Sequence, residues 1–190
     1  LAQLSPAFDE NPRVGAVILN EAGNIIAEGW HKGVGTEHAE VDALNKMREA
    51  GINPSGMTAV VTLEPCNHTG RTGPCAQALI DAGIARVIFA SFDPGQIEGG
   101  GRDTLEAAGV EVIGPYLNEE YQPVLLPWLV NKHKRRPYVV IKYASSLDGR
   151  VAAADSTSKW ITGSDARADV HLRRSQSQAI LVGTNTVLVD

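Results

Sequence analysis

The chain has 190 residues, 43% of them hydrophobic and 21% charged, the balance of a globular protein able to build a core of ordinary size. Its 17 Lys and Arg against 22 Asp and Glu leave a net charge of −5, which disfavours a nucleic-acid partner and points to a small-molecule ligand. No apolar run approaches the roughly 20 residues that span a bilayer, so no membrane partner is expected.

Leu1 to Pro12 lacks the basic-then-apolar layout of a signal peptide; it also lacks an initiating Met, and the true start is expected upstream. The first strand is Val14 to Leu19, followed by turn chemistry at Ala22-Gly23-Asn24 and a hairpin partner from Ile25 to Glu28. Apolar residues at Ala39, Ala43, Leu44, Met47 and Ala50 have helical spacing, so His38 to Ala50 is predicted as a helix stopped by Gly51. Thr58 to Leu63 is a buried strand, Cys75 to Ala82 a short helix between Pro74 and Gly83, and Arg86 to Ala90 a strand. A helix over Thr104 to Ala108, a strand over Val110 to Ile113 and a helix over Asn118 to Val130, begun late or broken by Pro123 and Pro127, complete the first region. The basic run Asn131 to Pro137 reads as a solvated linker rather than a nucleic-acid patch. Beyond it, a strand over Tyr138 to Tyr143, a helix over Asp165 to Arg174 with Ser164 as N-cap, and a strand over Ala179 to Val182 resemble the opening βαβ of a larger unit.

The two cysteines, Cys66 and Cys75, are a thin basis for a disulfide framework in a chain this long. A metal role in a reducing, cytoplasmic setting is the better expectation. Three pieces carry it: Glu37-His38-Ala39-Glu40 at a helix start, Thr62-Leu63-Glu64-Pro65-Cys66 at a strand end, and Gly73-Pro74-Cys75 at the next helix start. One His and two Cys make three zinc ligands, the count of a catalytic site with an open position. Cys75 in a first helical turn is expected to have a lowered thiol pKa. Glu40, two residues past His38, reaches the open position without being a ligand and is the candidate catalytic acid/base; H-x-E followed by P-C and a second Cys is the zinc-deaminase pattern. Taken singly, each residue has a plainer reading: His38 as a surface cap, Glu40 as a first-turn acid, the cysteines as small core residues. Their joint order makes zinc the stronger reading.

Cys66 and Cys75 are separated by eight residues, Asn67 to Pro74. That stretch, EPCNHTGRTGPC, resembles the deaminase half of the bifunctional riboflavin-biosynthesis deaminase–reductases. Asn11 to Val17 is similar to the family's N-P-x-V-G-A-V strand, and Lys142 to Arg150, Ser158 to Thr162 and Gly183 to Asp190 are similar to its reductase motifs. The resemblance implies an α/β protein: a cytidine-deaminase-like three-layer α/β/α domain over residues 1–131, a basic linker over 132–137, and over 138–190 the start of a dihydrofolate-reductase-like α/β domain. It implies zinc and NADPH as cofactors. The implied substrate is 2,5-diamino-6-(5-phosphoribosylamino)pyrimidin-4(3H)-one, which loses its ring 2-amino group before NADPH reduces the ribosyl group. The inserted loop has two readings: Arg71, with Thr69, Thr72 and His68, lines the pocket mouth and meets a phosphate or the pyrimidine edges of the substrate, or the loop packs on itself; Asn11 likewise either turns an amide to the ring or ribose or is a turn residue before Pro12. By the same resemblance, Ala144, Trp160, Thr186 and Asp190 are expected on the NADPH side, and Ser158 and Arg174 on the reductase's substrate side. The family's reductase continues beyond Asp190, so the reductase half is expected to be truncated and inactive, and Gly95 stands where the family often has Asn. Association into homo-oligomers is a further expectation. The competing readings are a zinc deaminase for another cytosine- or adenine-type base, a structural-zinc scaffold, which would have no need of Glu40, and a reductase acting alone.

Overall fold

The computed structural model describes residues 1–7, 9–69, 73–95, 99–116 and 123–189. The chain divides into two compact units, Leu1–Tyr138 and Val139–Asp190.

The first unit is built on a mixed five-stranded sheet. Strands β1 (Gly15–Leu19) and β2 (Ile25–Trp30) form an antiparallel hairpin around the turn at Gly23, whose φ of 78° suits a residue without a Cβ. β3 (Thr58–Leu63) pairs antiparallel with β1, and β4 (Arg86–Ser91) and β5 (Glu111–Ile113) add in parallel, giving the order β2-β1-β3-β4-β5. The parallel pairs require crossovers. Helix α2 (Cys75–Asp81) connects β3 to β4, and α3 (Gly101–Ala107) connects β4 to β5. Period-two alternation buries Ala59, Val61 and Leu63 of β3 and Val87 and Phe89 of β4.

Helix α1 (Ala39–Glu49) buries Ala39, Ala43, Leu44 and Met47 and carries Glu40 and Asp42 in its first turn and Lys46 and Arg48 in its last, the charge order that suits the helix dipole. It packs on β2 so closely that a Cβ on Gly29 would lie 2.0 Å from the Ala39 carbonyl oxygen. This contact sets the height of the α1 N-terminus above the sheet. Helix α4 (Leu126–Lys134) begins late, with Pro127 in its first turn, and is anchored by Leu125 and Leu129, 1% and 3% exposed. Its last turn takes in Lys132, His133 and Lys134 of the basic run. Residues 117–122, the first part of the helix predicted from Asn118, lie outside the described residues.

Several sequence expectations are corrected. α3 begins at Gly101, three residues before Thr104, because Gly100 adopts a left-handed φ of 87° that turns the chain into the helix. His38 is the residue capping α1 rather than its first helical residue. In the second unit, α5 (Ser164–Ser175) takes Gly163, not Ser164, as its N-cap, and α6 (Thr184–Val189) adds a helix. The strands expected at Tyr138 to Tyr143 and Ala179 to Val182 do not form. Both segments are largely exposed, with Ile141 at 82% and Leu181 at 99%. A strand exists only through hydrogen bonds to a neighbour, and the described residues of this unit present none.

Candidate active site

The C-terminal end of β3 and the N-termini of α1 and α2 meet at one point, at the C-terminal end of the parallel part of the sheet, where ligands are commonly held. β3 runs out into Glu64-Pro65-Cys66. Cys75 opens α2, and its backbone N–H lies 3.4 Å from Cys66 Sγ. His38, extended at φ −72° and ψ 161°, turns its ring to both sulfurs: Nδ1 lies 3.2 Å from Cys75 Sγ and 3.4 Å from Cys66 Sγ. The three donor atoms lie within 4.8 Å of one another, and both cysteines are free thiols. A tetrahedral zinc with its ordinary Zn–S and Zn–N bond lengths holds its donors about 3.5 Å apart. The residues present therefore fit the ion in chemistry and in spacing.

Glu40 is 3% exposed. Burial pushes its carboxyl up to about 7, with the neighbouring Cys66 sulfur adding to the rise. The thiols divide. Cys66 is lowered, foremost by a hydrogen bond from the Cys75 thiol and further by His38 and the Cys75 backbone N–H. Cys75 is raised because its thiol donates to Cys66 and is buried. The expectation that the start of α2 lowers Cys75 is thus corrected: the N–H there points at Cys66, and Cys66 is the favoured thiolate.

A cavity of about 310 Å³ opens from Glu40, His38 and Cys66, within the size range of small-molecule sites. Asn11 and His68 line it. The Nδ1 of His68 is buried without a hydrogen-bond partner. Arg71 and Asp190 lie outside the described residues. The other reductase positions stand in the second unit. Ser158 and Trp160 are exposed, Trp160 at 67% with the Arg167 guanidinium 4.4 Å from its ring centre; Ala144, Arg174 and Thr186 are partly buried.

The structure adds residues that motif reading missed. His31, 4% exposed, pairs through Nδ1 with the Glu37 carbonyl at 3.0 Å and through Nε2 with Asn11 Nδ2 at 3.0 Å. A carbonyl only accepts, so the neutral ring carries its proton on Nδ1, and Nε2 accepts from the Asn11 amide. That hydrogen bond fixes which way the Asn11 amide faces. His31 also meets His38 edge-on at 5.7 Å between ring centres. Glu64, 5% exposed, accepts the backbone N–H groups of Asp93 at 3.3 Å and Arg102 at 3.0 Å, bracing both ends of the loop that carries Asp93 to the cavity wall. Asp93 Oδ1 in turn accepts the Gly95 N–H at 2.8 Å, so Gly95 serves the loop through its backbone. A lone His between hairpin and helix carries no pattern; Glu64 was visible within T-L-E-P-C but without a role.

Two family models match this chain: the cytidine and deoxycytidylate deaminase zinc-binding region over residues 1–91, and the RibD C-terminal domain over residues 137–190. Riboflavin biosynthesis protein RibD of Corynebacterium ammoniagenes is 50% identical over 180 residues, 95% of this chain and 52% of that protein. The chain is a homologue of one half of the RibD proteins. RibD of Escherichia coli is 46% identical over 95% of the chain and 48% of its own length. The crystal structure of a diaminohydroxyphosphoribosylaminopyrimidine deaminase/5-amino-6-(5-phosphoribosylamino)uracil reductase from Thermotoga maritima superposes with a TM-score of 0.93 at 41% identity, covering all of this chain and 54% of that one. The chain thus spans about half the length of the RibD proteins it matches. Among the described residues, no helix is long and apolar enough to cross a membrane.

Proposed function

We propose that the chain hydrolyses the 2-amino group of 2,5-diamino-6-(5-phosphoribosylamino)pyrimidin-4(3H)-one in riboflavin biosynthesis, with zinc held by His38, Cys66 and Cys75. The observation that carries this reading is a fully buried carboxyl beside a three-donor set at the end of a small cavity. The zinc-binding-region match and the deaminase/reductase activity for which the Thermotoga maritima relative is named support the same chemistry.

Bound zinc supplies Lewis acidity that brings the ionisation of water near neutral pH. Glu40 carries the protons. Its carboxylate takes one from the attacking water and gives it to the departing nitrogen, so water and aminopyrimidine become oxopyrimidine and ammonia with no net proton change. A carboxyl held near neutrality by burial is suited to both moves. Asn11 meets the ring or ribose with its amide turned by His31, His68 offers an unused nitrogen at the wall, and Arg71 is assigned to phosphate or pyrimidine edges. A cytoplasmic setting keeps the two free thiols reduced and available as ligands.

NADPH belongs to the reductase half, and residues 137–190, which match the RibD C-terminal domain, carry Ala144, Trp160 and Thr186, the positions that would meet it.

The test is ammonia release from the diaminopyrimidine substrate by zinc-loaded protein beside Glu40→Gln. We expect the variant to keep its zinc and lose about 10²- to 10⁴-fold in kcat. Release from cytidine but not from this substrate would replace the reading with another deaminase.

A further inference from the structure

A phosphorylated substrate brings a dianion to the cavity, yet the Asp, Glu, Lys and Arg of its described wall are mostly acidic. Glu10, Glu40, Glu64 and Asp93 line it, and among the described lining residues Lys132 alone is a Lys or Arg. Glu64 is already engaged by two backbone N–H groups and Asp93 by a third. The cation is therefore placed where a negative group entering the cavity most needs one.

Lys132 is not part of a loose tail. It sits in the last turn of α4, held to the core through Leu125 and Leu129. Trp128, one helical turn earlier, packs against the core and also lines the cavity. The Lys132 ammonium lies 5.6 Å from the Trp128 ring centre, so the aromatic face steadies the charge at the rim. Lys132 is exposed, whereas Glu40 is buried.

We propose that Lys132 recognises the phosphate of the substrate while Glu40 and the three ligands act on the ring; this rests on the phosphoribosyl aminopyrimidine reading above. A compact ammonium on a flexible stem suits a terminal phosphate that is free to rotate. The plainer role, a cation opposing the C-terminal dipole of α4, is shared by His133 and Lys134 and predicts no preference between substrates.

The experiment compares ammonia release from the phosphorylated substrate and from the same riboside without phosphate, in the parent chain, Lys132→Ala and Lys132→Arg. Lys132→Ala should raise KM for the phosphorylated compound about 10-fold, leave kcat within about twofold and leave the riboside untouched, with Lys132→Arg restoring most of the loss. Equal effects on both compounds, or none, overturn the assignment. Ribose 5-phosphate binding, read by calorimetry on the same proteins, separates this failure from failure of the deaminase reading. Binding weakened in Lys132→Ala supports the phosphate contact even where neither compound releases ammonia. Binding unchanged overturns it even where both do.

Discussion

At the scale of single residues, the site separates holding a metal from moving a proton. His38, Cys66 and Cys75 offer one donor atom each, and their mutual approach is close before any ion is considered. Replacing Cys75 with Ser should therefore cost most of the zinc, measured as metal content after dialysis, while Glu40→Gln should not. Chelation of the parent should expose two thiols per chain to alkylation that are blocked in the zinc form. The His31 pair with Asn11 makes a different prediction. Leu at His31 frees the Asn11 amide to turn, so KM should rise several-fold, on the scale of one lost hydrogen bond of about 1 kcal/mol, with zinc content preserved. Steady-state kinetics beside metal analysis checks it.

At the scale of elements, Asp42 locks α1 to the hairpin. Its carboxylate accepts Lys32 Nζ at 2.7 Å, Lys46 Nζ at 2.8 Å and the Trp30 N–H at 3.2 Å, and Lys46 lies 4.3 Å from the Trp30 ring centre. Burial raises its pKa, but these partners outweigh burial and hold it below the usual carboxylate value. The sign follows: the contribution is present above the unfolded value of about 3.9 and is lost as pH falls through the lower folded value. Asp42→Asn should cost about 1–2 kcal/mol near pH 7, less as the pH drops below about 4, measured by urea denaturation across pH. How much of this was legible depended on whether an element carries its own signal. β1, β3 and β4 announce themselves by apolar β-branched runs, and α1 by its spacing, since their buried faces belong to this same sheet. Tyr138 to Tyr143 carries as strong a strand signal and is no strand, because pairing is supplied by a neighbour and not by the segment. The ligands and Glu40 were readable because metal chemistry dictates residue type and order. His31 and Lys132 were not, because only the packing of the hairpin and of α4 carries them to the cavity.

At the scale of the whole molecule, the two units differ in how their backbone is satisfied. The first has a five-stranded ladder over a dense core; the described residues of the second have helices and turns. Hydrogen exchange should show it directly. Amides of β3 and β4 should exchange slowly, by global opening, and those of 139–143 and 179–182 at nearly the rate of free peptide. Within the first unit, the metal ligands and the loop after β4 behave as one mechanical piece. A Cβ on Gly101 would lie 1.7 Å from the Pro65 carbonyl oxygen. Pro65 sits between Glu64, which braces that loop, and Cys66, which faces the metal position. A methyl group added at Gly101 must push that peptide, and the push arrives at a sulfur. Variation at a glycine outside the cavity wall would thus surface first as a change in how firmly the protein keeps its zinc, long before the sheet itself gave way.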